Sequence, residues 1–338
     1  MPTQHVIHAV PIALSPAKRL QFDRAVLLRG VTLQRFTGPI ARNIARRVEA
    51  FPEKPGFVPT HIIVVEQAKY LEGLDYRLQC EGRSRPVHEY EMVDIAGIAR
   101  QVLIASTLVG RLTWQVGGYH AFDFSDADFP YRSSGYSHAP TVQVSDLYRC
   151  AAPSDWFRDI RATTLRKTVT SLDRYYRSGI WWNDRLSVAL GYLWSALTTT
   201  HTELSFAALC MALEAVATTA NSEVTHILAE RCAILARRSG AGREVAYKEI
   251  KQLYVLRSQI VHGCSRPRKG PITRESLAIT AKHSMVPSTQ VFKLLSYVFD
   301  VINGVLSDRD LMAILHTKQS DDAESKATAG YFLRKLLA

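Results

Sequence analysis

The chain has 338 residues, 47% hydrophobic and 22% charged, a balance that argues against disorder and for a globular protein long enough for two ordinary domains with packed cores. Lys and Arg number 42 against 31 Asp and Glu, a formal charge of +11. The first 150 residues carry 17 basic and 14 acidic groups and the remainder 25 and 17, so a polyanionic partner is expected of the second part.

The first 150 residues read as mixed α and β. Runs rich in β-branched residues at 5–14, 25–36 and 61–65 predict strands. Between them, Ile40, Ile44 and Val48 recur every four residues opposite Arg42, Arg46 and Arg47, which predicts a helix over 39–51. A second helix is predicted over 93–109, followed by a strand within 112–124. Residues 117–140 are loaded with Gly, Ser, Asp, Pro and Tyr, which places a long loop there and a domain boundary between Phe124 and Pro153. The N-terminal α+β domain is assigned to 1–150, with a sensor or regulatory role.

Beyond Pro153 the pattern is helical, with helices expected over 156–177, 185–198, 203–220, 223–238, 243–262 and 287–315. Short connections between them favour antiparallel neighbours, hence an all-α up-and-down bundle over 151–316. A polar tail, 317–338, is expected to end in a short helix over 331–337.

Three charges fall on helical stripes that are otherwise apolar. Glu214 shares a stripe with Ala207, Cys210 and Ala217, and Arg231 lies between Val224, Ile227 and Leu228 on one side and Leu235 on the other. Arg257 continues the row Ala246, Ile250 and Leu253. Buried charges need partners. One arrangement pairs Glu214 with Arg231 and leaves Arg257 as the working residue. The alternative has Arg257 answer Glu214, while His262 merely caps its helix. His262 stands five residues after Arg257 and before Gly263, where a helix C-terminus favours the imidazolium form. Such a cation beside a titratable imidazole suits phosphoryl transfer at RNA. The imidazole moves the 2′-hydroxyl or leaving-group proton, and the guanidinium stabilises charge at phosphorus.

The array Arg257-Ser-Gln-Ile-Val-His262 resembles the signature of HEPN domains. The wider order of blocks is similar to the ApeA-like branch: Ala-Leu-Glu-Ala at 212–215, the run from Ser222 through Arg231 to Leu235, and Leu253-Tyr-Val-Leu-Arg-Ser-Gln-Ile-Val-His-Gly263. The resemblance covers about residues 155–316. It implies a helical bundle that forms a homodimer with two Arg/His arrays in one cleft. It also implies metal-independent cleavage of RNA in antiviral defence or toxin-type growth arrest. Arg257 and His262 match the catalytic pair, and Glu214 and Arg231 match supporting positions. Ser258 departs from the Asn, Asp or His that commonly follows the arginine in active members, so a catalytically silent dimerising, nucleic-acid-binding or sensing module is the other expectation. Arg266, Arg268, Lys269 and Arg238 flank the array and could hold an RNA backbone through its phosphates. The aromatic and basic segment 174–185 could stack single-stranded bases, although core or dimer contacts are the commoner use of such residues.

Five cysteines without CxxC spacing argue against structural zinc and against a disulfide framework. Neither GxxxxGK[ST], GxGxxG nor HExxH occurs, so no cofactor is expected. The chain start lacks the features of a signal peptide, and no 18-residue apolar stretch free of charge occurs. A cytoplasmic location away from membranes is expected, with a phage or regulatory trigger acting at residues 1–150.

Overall fold

The computed structural model describes residues 6–38, 41–42, 58–80, 94–116, 119–123, 136–137, 148, 152–153, 155–177, 185–218, 224–236, 241–261, 286–316 and 321–337. The chain divides into two compact units, one of residues 1–144 and 153–173, the other of 145–152 and 174–338. An α+β N-terminal part is followed by a helical region.

The first unit is built on an antiparallel sheet. Its strands are β1 (Val6–Ser15), β2 (Arg24–Leu28), β3 (Val31–Arg35), β4 (His61–Glu66), β5 (Thr113–Val116), β6 (Tyr119–Asp123) and β7 (Tyr136–Ser137). The order is β2-β3-β4-β1-β6-β7. The long β1 pairs β4 along one edge and divides its other edge, Val6–Ala9 against β6 and Ile12–Ser15 against β5. Ala9, Val10 and Ile12 of β1 and Ile62, Ile63 and Val65 of β4 are fully enclosed, so the central strands are covered on both faces.

The run over 25–36 is two strands rather than one. The chain reverses at Arg29-Gly30, where Gly30 has φ +77°. A Cβ there would strike the Tyr70 amide and the Glu66 carbonyl of the chain entering α1 (Gln67–Cys80), so the turn requires a residue without a side chain. The helix α1 itself had no expectation in the sequence. The helix predicted over 39–51 falls almost wholly outside the described residues.

α2 (Ile95–Gly110) opens on an Asp94 cap, whose carboxylate accepts from the Gly97 amide at 2.8 Å, and closes on Arg111 in the left-handed conformation. Almost every residue from Ile98 onward is buried. The strand expected within 112–124 is broken into β5 and β6.

The segment after Pro153 packs with this sheet unit. Its backbone is laced to the end of α2 and to the turn before β2 by Arg158 N to Gly110 O, Ile160 N to Arg19 O and Gln21 N to Ile160 O. α3 (Ala162–Arg177) is tied to β2 by Arg166 Nε, which donates to the Val26 carbonyl at 2.6 Å. The helix begins at Ala162 instead of 156 because residues 156–160 are engaged in those backbone bonds.

The second unit contains α4 (Arg185–Thr198), α5 (Thr202–Ala217), α6 (Val224–Leu235), α7 (Ala241–Val261), α8 (Ser288–Ser307), α9 (Arg309–His316) and α10 (Asp321–Leu337). α4 and α5 pack along one another, as do α6 and α7, and α8 lies against α5, α6 and α7. α8 buries Val291, Phe292, Leu295, Val298, Ile302 and Val305 at helical spacing. The helix predicted over 287–315 is interrupted at Asp308, whose carboxylate caps α9 through the Leu311 amide at 3.1 Å. α10 starts ten residues before the short helix expected at 331–337. Among the described residues no helix is long and apolar enough to cross a membrane.

Candidate functional site

The apolar row that precedes Arg257 is buried as the period requires: Ala246, Ile250 and Leu253 all face the interior from α7. Arg257 continues that row, and its side chain remains 20% exposed. Among the described residues the nearest opposite charge is Glu214 in the last turn of α5, with Oε1 at 3.5 Å from Arg257 Nη2 and a side chain 24% exposed. A third residue completes the cluster. The Tyr254 hydroxyl donates to Glu214 Oε1, and its ring lies under the guanidinium, with Arg257 Cζ 5.5 Å from the ring centroid. Arg257 Nε is buried without a hydrogen-bond partner among the described residues.

Cys210 sits one helical turn before Glu214. Burial pushes its thiol far above the ordinary range, the Glu214 carboxylate adds to this, and Arg257 opposes it. A neutral thiol in that position packs the floor of the site and is no nucleophile. The Tyr254 hydroxyl is likewise raised, first by burial and then by its bond to the Glu214 carboxylate, so it stays a hydrogen-bond donor.

Arg231 does not pair with Glu214. Its Nη1 donates to the Ala217 carbonyl at 2.8 Å, and its guanidinium lies 5.0 Å from the Phe332 ring on α10. Arg185 at the start of α4 donates to the next carbonyl, that of Thr218. Two arginines thus close the C-terminus of α5, where helix carbonyls lack partners and the macrodipole is negative. The expected Glu214–Arg231 pair gives way because Arg231 reaches an orphan carbonyl three residues beyond Glu214. Of the two arrangements open from sequence, Arg257 answering Glu214 is the one formed.

Ser258 is exposed beside Arg257. His262, Arg238, Arg266, Arg268 and Lys269 lie outside the described residues. In the aromatic segment, Tyr175 is fully buried and meets Tyr176 edge-on at 5.5 Å, so it belongs to the core. Among the described residues no group of His, Cys, Asp and Glu could hold a metal ion.

Tyr254 is the member of the cluster that sequence reasoning missed. It precedes Arg257 by three residues on the same helix face, and a tyrosine beside an apolar row needs a partner for its hydroxyl. That spacing was the available signal. The arrangement can present a partly exposed guanidinium, with a fixed countercharge behind it, at the helix end leading to His262.

No family model matches the sequence, and no curated protein or solved structure matches it either.

Proposed function

We propose that the chain is a metal-independent endoribonuclease of the HEPN type, with Arg257 and His262 as its catalytic pair. The observation that carries this reading is the partly exposed Arg257 guanidinium, held on the buried stripe of α7 five residues before a histidine. A guanidinium on an apolar stripe is costly unless it is paired or used. Among the described residues a single carboxylate at 3.5 Å answers it, which leaves most of its donors unspent there.

In this mechanism the ribose 2′-oxygen attacks the adjacent phosphorus as its proton passes to the His262 imidazole. The bond from phosphorus to the 5′-oxygen breaks, that oxygen takes up a proton from solvent water, and the imidazolium returns its own proton to solvent. A 2′,3′-cyclic phosphate and a 5′-hydroxyl result. Arg257 stabilises the added negative charge on the non-bridging oxygens. Arg238, Arg266, Arg268 and Lys269 contact the phosphates of single-stranded RNA, and Ser258 and Glu214 support the site. Two chains meet through the helical bundle as a homodimer. The α+β part receives a phage-derived or regulatory trigger, which makes this an antiviral or toxin-type effector of the cytoplasm.

Single-stranded RNA incubated with the purified full chain and EDTA is expected to be cut to products ending in cyclic phosphate. His262→Ala should abolish cutting while leaving thermal unfolding unchanged. Equal cutting by the variant would sink the assignment.

The ion pair between Glu214 and Arg257, together with Ser258 after the arginine, favours a second reading. In it the bundle is a catalytically silent module that dimerises and binds nucleic acid. Uncut RNA, bound in a salt-dependent manner that His262→Ala leaves intact, is its signature.

A further inference from the structure

Glu214 has two neighbours with a claim on its carboxylate, and both approach the same oxygen. The Tyr254 hydroxyl donates a hydrogen bond to Oε1. Arg257 Nη2 stands 3.5 Å from that atom, well beyond the roughly 2.7–2.9 Å of a charge-assisted N–H···O bond. The charged pair is therefore an ionic contact and not the two-pronged fork that an arginine and a carboxylate form when free to close. One side chain restrains both members: the Tyr254 ring carries the guanidinium, and its hydroxyl fixes the carboxylate oxygen.

We propose that Tyr254 is a positioning residue that withholds Glu214 from Arg257, leaving the guanidinium fork open to an external phosphate anion. Glu214 supplies the countercharge that makes the partly buried arginine tolerable, while its oxygen is committed to the tyrosine. Two non-bridging phosphate oxygens have the spacing that the absent carboxylate fork would have used. The inference rests on Arg257 as the phosphate-binding group of the proposed nuclease and adds a residue that the proposed chemistry leaves unassigned.

Tyr254→Phe keeps the ring and deletes the hydroxyl, so Glu214 is released to close on Arg257. Two measurements on the full chain test this. One is affinity for inorganic phosphate, followed through the guanidinium resonances of Arg257 in isotope-labelled protein. The other is the rate of single-stranded RNA cleavage. Tyr254→Phe is expected to weaken phosphate binding by about tenfold and to slow cleavage by at least as much, the scale of one charge-assisted contact. Adding Glu214→Gln to that variant should recover most of both, because a neutral amide has no charge with which to hold the fork shut. An unchanged phosphate affinity in Tyr254→Phe overturns the proposal, as does a loss that Glu214→Gln fails to relieve. If the phenylalanine variant does not fold, Glu214→Gln alone decides: phosphate affinity equal to or above wild type supports the proposal, and a tenfold loss overturns it. Phosphate titration needs no turnover. Tyr254-dependent phosphate binding without RNA cleavage would therefore reject the nuclease reading and retain the role of Tyr254.

Discussion

Glu214 on α5 meets Arg257 on α7, Oε1 to Nη2 at 3.5 Å, while Arg231 turns to the Ala217 carbonyl at the end of α5. The two arginines therefore do different work, although both interrupt apolar stripes. A double-mutant cycle separates them. Glu214→Gln with Arg257→Met should show a coupling of roughly 1–2 kcal/mol in urea unfolding, and Glu214→Gln with Arg231→Met should be additive within roughly 0.5 kcal/mol. Coupling of the second pair would restore the arrangement that the structure replaces.

Arg231 is 8% exposed, and its loss strands the Ala217 carbonyl and removes the cation from the Phe332 ring. Arg231→Met fills the space without the donor. A destabilisation of about 2–3 kcal/mol is expected, read as a lower urea midpoint with an unchanged slope. A variant within about 0.5 kcal/mol of wild type would show that water or another group satisfies that carbonyl.

Gly304 lies in the last turn of α8, where it meets the last turn of α6. A Cβ there would run into the Leu235 carbonyl oxygen, which is backbone and cannot swing aside. Helix propensity alone would reward Gly304→Ala by up to about 1 kcal/mol. The clash should outweigh that gain and produce a net loss of roughly 1–3 kcal/mol by thermal or urea unfolding. Stabilisation by the alanine would mean that the two helices are free to separate.

His61 opens β4, is 3% exposed, and pairs in register with Arg35 of β3. Its Nδ1 is 3.0 Å from Thr60 Oγ1, and Nε2 is buried without a hydrogen-bond partner among the described residues. Burial, followed by the Arg35 charge and opposed by Asp23, lowers its pKa from 6.5 to about 4. A histidine whose folded pKa is depressed is stabilising above its unfolded pKa, and that contribution is lost as the proton binds the unfolded chain more readily. Stability should thus be full above pH 6.5, fall between 6.5 and about 4, and level off below. The shift corresponds to roughly 3 kcal/mol at most, reduced to roughly 1–2 kcal/mol by partial screening. In His61→Leu the decline across that window should shrink by this amount. An identical pH profile for the variant would place the titration elsewhere.

The amino-acid sequence by itself determined that an α+β part precedes a helical region, the helical period of the second half and the burial of the row leading to Arg257, but not that residues 153–173 join the sheet unit. These follow from spacing, because an apolar face recurring at 3.6 residues has one stable orientation. The tertiary structure alone decided which charge met which. Glu214 could have faced either arginine, and the outcome turned on where α5 ends and which orphan carbonyl an arginine could reach. It also decided the split of the run 25–36 at Gly30, since that turn is forced by the backbone of α1 lying against it. Residues far apart in the chain set those contacts, and periodicity within one segment carries no record of its neighbours.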